Sequence, residues 1–190
     1  MRRLTMVLLL LLLGGCGHPA PTDQADPPPP PTGADQLVFQ LAQLPGLMGP
    51  GAEFRLPRMT LYGDGTLIVA DDNQPVQRQL TTQGVRKWVK AATDAGLTSQ
   101  IDYGTPQVAD GGLSIFTVVT DTKHTTRVAE PSILEPQHAA RERLHEFLAN
   151  LDDLDTWLGK NITPEPQPYK SAQVAVYASP GNNPGSPEQP

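Results

Sequence analysis

Three observations predict an α+β fold, an antiparallel sheet built of hairpins with two main helices packed on one face. Two pairs of β-rich runs are each joined by a short turn, each pair is followed by a helical pattern, and two thirds of the prolines lie outside this stretch. Strands then helix, twice over and with short hairpins, point to a sheet covered by helices.

The elements follow in chain order. Leu37–Leu41 reads as a first strand, soon broken by Pro45, Gly46, Gly49 and Pro50. Arg58–Tyr62 and Thr66–Ala70 are β-rich runs separated by Gly63-Asp64-Gly65, and Asp-Gly is a strong hairpin signal. Thr81 and Thr82 are placed to cap a helix with the apolar stripe Val85, Trp88, Val89, Ala92 and Ala95, and Gly96 is placed to stop it. Leu113–Val119 reads as a strand, Asp121–Lys123 as its turn and Thr125–Ala129 as the return strand. Ser114, inside that alternating strand, is expected on the solvent side. Pro136 suits the first turn of a second helix with the stripe Ala140, Leu144, Phe147, Leu148, Leu151 and Leu158, and Trp157 nearby. Asp152, Asp153 and Asp155 mark a break near its end. Alternation over Gln173–Tyr177 suggests an added edge strand at 172–178.

Prolines set the boundaries. Seven lie between Pro19 and Pro31, seven between Pro164 and Pro190, and seven in the 132 residues between those regions. Residues 36–158 are therefore read as a single domain, long enough to bury about two thirds of its unfolded surface, and 159–190 as a tail. Residues 16–35 carry the run Pro27–Pro31, stiff polyproline II that reads as a stalk reaching up to ~60 Å.

Arg2 and Arg3 precede an apolar run, Leu4–Leu13, and small residues lead to Cys16. This is the layout of an export signal over residues 1–15. Ten helical residues reach ~15 Å, about half of a ~30 Å hydrocarbon core, so the run is too short to span a membrane. Leu13-Gly14-Gly15-Cys16 resembles the lipobox of bacterial lipoproteins, which implies lipidation of Cys16 by a diacylglycerol and an amide-linked acyl chain, and anchoring on the outer face of the cytoplasmic membrane. Cys16 is also the one cysteine of the chain, which excludes an intramolecular disulfide. The formal charge is −6, and −8 once Arg2 and Arg3 leave with the signal. That balance argues against nucleic acid and against adhesion to anionic headgroups.

Motifs with chemical content are few. The run Thr60–Thr66, TLYGDGT, lacks the third glycine of a dinucleotide loop, where Ile68 stands. Read as a calcium loop, it puts Thr60 and Tyr62 where carboxylates are wanted, with Asp64 and Asp71. His138, Glu142 and His145 share one helix side at i, i+4, i+7 and are weak candidate metal ligands. Arg141, Arg143 and Glu146 on the same flank favour a solvated face. Asp102, Tyr103, Asp110 and His124 with Ser114 could suggest acid/base or hydrolytic chemistry, without the G-x-S-x-G nucleophile elbow. Asn161-Ile162-Thr163 has the form of a glycosylation acceptor. No cofactor is expected.

PRMTLYGDGTLIV, LTTQGVRKWVKAATDAGL, DYGTPQVADGGLSIFTVV and ARERLHEFLANLDDLDTWL, behind a lipobox and a proline run, resemble a family of exported actinobacterial lipoproteins over roughly Leu56 to Leu158. The resemblance implies export and a membrane anchor and carries over no catalytic residue. The expectation is a membrane-anchored, non-enzymatic binding module for an envelope protein or wall polymer. The alternative is an envelope hydrolase or metal-binding protein.

Overall fold

The computed structural model describes residues 27–46, 56–70, 74–104, 111–129 and 139–171. Among them, seven strands form one antiparallel sheet: β1 (Leu37–Leu44), β2 (Met59–Tyr62), β3 (Thr66–Ala70), β4 (Pro75–Gln79), β5 (Leu113–Val119), β6 (Lys123–Ala129) and β7 (Gln167–Pro168). Their order is β6-β5-β1-β2-β3-β4-β7. The helices are α1 (Thr82–Asp94), α2 (Ala139–Asp152) and the short α3 (Leu154–Leu158). The fold is α+β, with the antiparallel sheet that the hairpins imply.

β1 joins the two hairpin units, pairing with β2 on one side and β5 on the other. Pairing of Leu44 with Leu113 carries it three residues past the predicted end at Leu41. Cross-strand register puts Phe39 beside Val118 and Leu61, and Leu41 beside Phe116 and Met59. All six are buried. Phe39 then meets Trp88 of α1 at 5.3 Å between ring centroids and Phe147 of α2 at 5.8 Å. Trp157 of α3 closes the ring of four, 5.2 Å from Trp88 and 6.2 Å from Phe147. The tilted and edge-on arrangements are the ones aromatic quadrupoles favour.

α1 is bounded as its sequence suggests. The Thr81 side chain accepts from Gly84 N at 3.1 Å. At the other end Gly96 N donates to Thr93 O and Leu97 N to Ala92 O, the two bonds of a Schellman closure. The Tyr103 hydroxyl donates to Ala95 O at 2.6 Å, satisfying a helix-end carbonyl from inside the core. α2 stops at Asp152, and the Asp153 carboxylate accepts from Thr156 N to start α3. The aspartates thus mark a break, while the predicted first turn at Pro136 lies outside the described residues.

Two differences from expectation have physical causes. Ser114 is 1% exposed rather than solvent-facing, because it alternates with Phe116 and Val118 on the buried side of β5. β4 carries the polar sequence PVQRQ and has no strand signal of its own; its pairing with β3 makes it one. The predicted edge strand at 172–178 lies outside the described residues; within them a two-residue edge strand, β7, pairs with β4.

Burial pushes the Tyr103 phenol up to about 12, against a smaller opposing pull from Arg143. An unfolded phenol ionises near ~10, so the unfolded chain releases its proton first and this contribution to stability is lost as pH rises from about 10 towards about 12. Tyr103→Phe leaves the Ala95 carbonyl without its donor, with an expected cost of about 1–3 kcal/mol at neutral pH. Urea unfolding should also show a flatter alkaline loss in the variant than in the parent.

Candidate functional site

The run TLYGDGT is a three-residue hairpin loop. Gly65 N donates to Tyr62 O at 3.0 Å, and the Asp64 carboxylate is engaged by Thr66 N at 2.9 Å and Thr66 Oγ1 at 3.0 Å. Gly65 takes φ +90, the backbone that the last position of such a loop requires. Its carbonyl accepts from Leu80 N at 2.8 Å, and a Cβ there would sit 2.2 Å from Leu80 O. On the other flank Gly63 N donates to Gln36 O at 2.9 Å. A Cβ on Gly63 would lie 2.6 Å from Pro31 O.

Two separate backbone segments therefore close on one turn. Leu80 leads into Thr81 and α1. Pro31 leads back to the run Pro27–Pro30, which lies over α1. A turn holds the junction, with Gln36 N donating to Gly33 O at 3.1 Å and Gly33 N to Gln36 Oε1 at 2.9 Å. The described half of the predicted stalk is thus laid against the domain. Proline rings lose little conformational freedom on docking and present an apolar edge, so a polyproline segment can pack where a flexible linker would stay in water.

Between Pro27–Pro30 and α1 lies a groove of about 500 Å3, with Arg86, Lys87, Val89 and Lys90 on the helix side and Asn161 also in its wall. Three cations and no carboxylate line it among the described residues. Lys87 donates to Trp157 O and stands 5.8 Å from the Trp157 ring centroid, a cation–π placement. Lys90 Nζ bonds both Asp94 oxygens, at 3.0 and 2.8 Å. Arg86 is exposed and belongs to none of the three ion pairs found among the described residues, Arg58–Asp152, Arg78–Asp155 and Lys90–Asp94.

Pro27 and Pro28 also border a cavity of about 310 Å3 containing Asp121 and His124. The Thr120 hydroxyl holds the Asp121 carboxyl below its usual range; desolvation is the next-largest effect and opposes it, while the backbone N–H groups of Thr122 and Asp121 and the Thr122 hydroxyl also favour the charged form. His124 Nε2 is 2.8 Å from Thr122 Oγ1. Its partner is therefore a hydroxyl and not an acid.

The other predicted site residues are dispersed. Asp102 Oδ1 accepts from Gly104 N at 2.7 Å, a local loop bond, and Tyr103 is a core residue. Ser114 is buried in β5. Glu142 is exposed and His145 half-buried on α2, while Asp110 and His138 lie outside the described residues. Among the described residues no three His, Cys, Asp or Glu side chains are grouped to hold a metal. Asn161 works as a tether: its Oδ1 accepts from Thr81 Oγ1 and its carbonyl from Thr81 N, both at 3.0 Å.

A second tether lies on β4. The guanidinium of Arg78, 8% exposed, binds the Asp155 carboxylate together with Thr163 O and Pro164 O. Hydrogen bonding from Arg78 holds the Asp155 carboxyl below its usual range.

No known protein family matches the chain, and no curated protein or solved structure matches it.

The groove depends on the missing side chain at residue 63, where no positive φ is involved. Gly63→Ala is expected to push Pro31 away and free residues 27–36, raising their rate of cleavage in limited proteolysis severalfold. The urea unfolding free energy of the domain should change by only ~1 kcal/mol, as for most substitutions outside a core. Unchanged cleavage would show that this contact does not hold the segment.

Proposed function

We propose that this chain is an exported lipoprotein, lipidated on Cys16 and held on the outer face of the cytoplasmic membrane, that acts as a non-enzymatic binding module for a component of the envelope. The observation that carries the binding reading is the groove of about 500 Å3 between Pro27–Pro30 and α1. Its volume is in the range of small-ligand sites, and its wall combines apolar surface with a few placed polar groups. The anchor reading rests on Arg2 and Arg3, the apolar run Leu4–Leu13 and the lone Cys16. Several acyl chains on one cysteine anchor stably, at ~0.8 kcal/mol per buried methylene.

The hydrolase reading would need Asp102, Asp110 and His124 to converge. His124 is partnered by Thr122 and Asp102 by the backbone of Gly104, which favours binding over catalysis.

Cys16→Ala is expected to move the protein from the membrane fraction to the soluble exported fraction. In-cell cross-linking should then enrich envelope partners with the parent and not with the variant. Unchanged fractionation would remove the anchor from this reading.

A further inference from the structure

The overall charge of −6 argues against anionic ligands, yet Arg86, Lys87 and Lys90 meet in one wall of the groove. These three cations stand within five residues of α1, away from the buried stripe of Val85 and Trp88. Opposite them stand proline rings, and the aliphatic stems of the three cations add apolar surface. An apolar trough edged by cations and free of carboxylates among the described residues matches one class of ligand. That class has an apolar body and an anionic head.

We propose that the groove between Pro27–Pro30 and α1 binds a single-chain amphiphile with an anionic head, the head held by Arg86 with Lys87 and Lys90 beside it. Arg86 can offer a planar fork of N–H donors to two oxygens of a carboxylate or phosphate. The single Lys90 ammonium already bonds both Asp94 oxygens, so it is oriented along the helix surface before any ligand arrives. Asp94 adds a competing charge at that end, which makes Arg86 the principal grip. A fully polar anion would leave the proline side unused, and a neutral chain would leave the cations unused.

The inference rests on the anchored reading for its source of ligand. Eleven residue steps separate Cys16 from Pro27 and reach at most ~36–40 Å when extended. The groove is thereby kept near a membrane, where amphiphiles are concentrated. Binding itself is a property of the folded domain and needs no anchor.

The test uses the mature lipidated protein in phosphatidylcholine vesicles, photolabelled with a diazirine-bearing dodecanoate and mapped by peptide sequencing. Label is expected on peptides covering residues 27–36 and 83–90. Dodecanoate and dodecyl phosphate should both compete, and dodecanol about tenfold less well, the factor that one charge-assisted contact supplies. The double variant Arg86→Gln, Lys90→Gln should lose about tenfold in labelling with an unchanged unfolding midpoint. Competition by only one of the anions would still support the class and would identify the head as carboxylate or phosphate. Label spread over the chain, equal competition by dodecanol, or a variant labelled like the parent would overturn the proposal. Such a failure with Cys16-dependent membrane fractionation intact would leave the anchor reading standing. Normal labelling of a protein that fractionates as soluble would do the reverse.

Discussion

The turn Tyr62–Thr66 is the point on which the rest of the arrangement depends. Gly63 and Gly65 each give up a side chain so that a different backbone segment can close in, Pro31 on one flank and Leu80 on the other. With Cβ distances of 2.6 and 2.2 Å to those carbonyl oxygens, neither approach tolerates even a methyl group without movement of backbone. Both walls of the groove start at these contacts. One hairpin therefore sets the position of the proline run relative to α1.

The helix wall is stiffened from below and from its ends. Phe39, Trp88, Trp157 and Phe147 form a closed circuit of ring contacts that ties β1, α1, α2 and α3 together. Tyr103 holds the C-terminal end of α1, and Thr81 with Asn161 holds its beginning. Arg78 adds a tie between β4 and the segment after α3 through Asp155, Thr163 and Pro164. Residues 159–168, read from composition as tail, thus belong to the folded unit and supply Asn161 to the groove.

Much of the architecture was legible where local signals and tertiary contacts agreed. The Thr81 cap, the Gly96 stop of α1, the Asp-Gly hairpin and the strands β5 and β6 all carry their own short-range chemistry. β4 and the far half of β1 carry none, since their strand character comes from partners distant in sequence. Ser114 misled because a polar residue in an alternating strand suggests water, whereas register placed it on the core side. The candidate site was the least legible part. Arg86, Lys87 and Lys90 read as an ordinary solvated helix face, and Pro27–Pro30 as a spacer. Only the fold brings them together, through contacts at Gly63 that composition does not encode.

We propose an anchor at Cys16, a short tether and a groove that the tether itself helps to build. In that arrangement the linker is part of the binding surface, not merely a spacer. The most direct test is a pulsed electron–electron resonance measurement on nitroxides at Pro29→Cys and Lys160→Cys, in a chain carrying Cys16→Ser so that only these two positions are labelled. Both positions are exposed, so labels there leave the contacts at Gly63 intact. A single narrow distance distribution is the expected result of a proline run seated on the domain. A broad distribution extending to the reach of a free linker would contradict it.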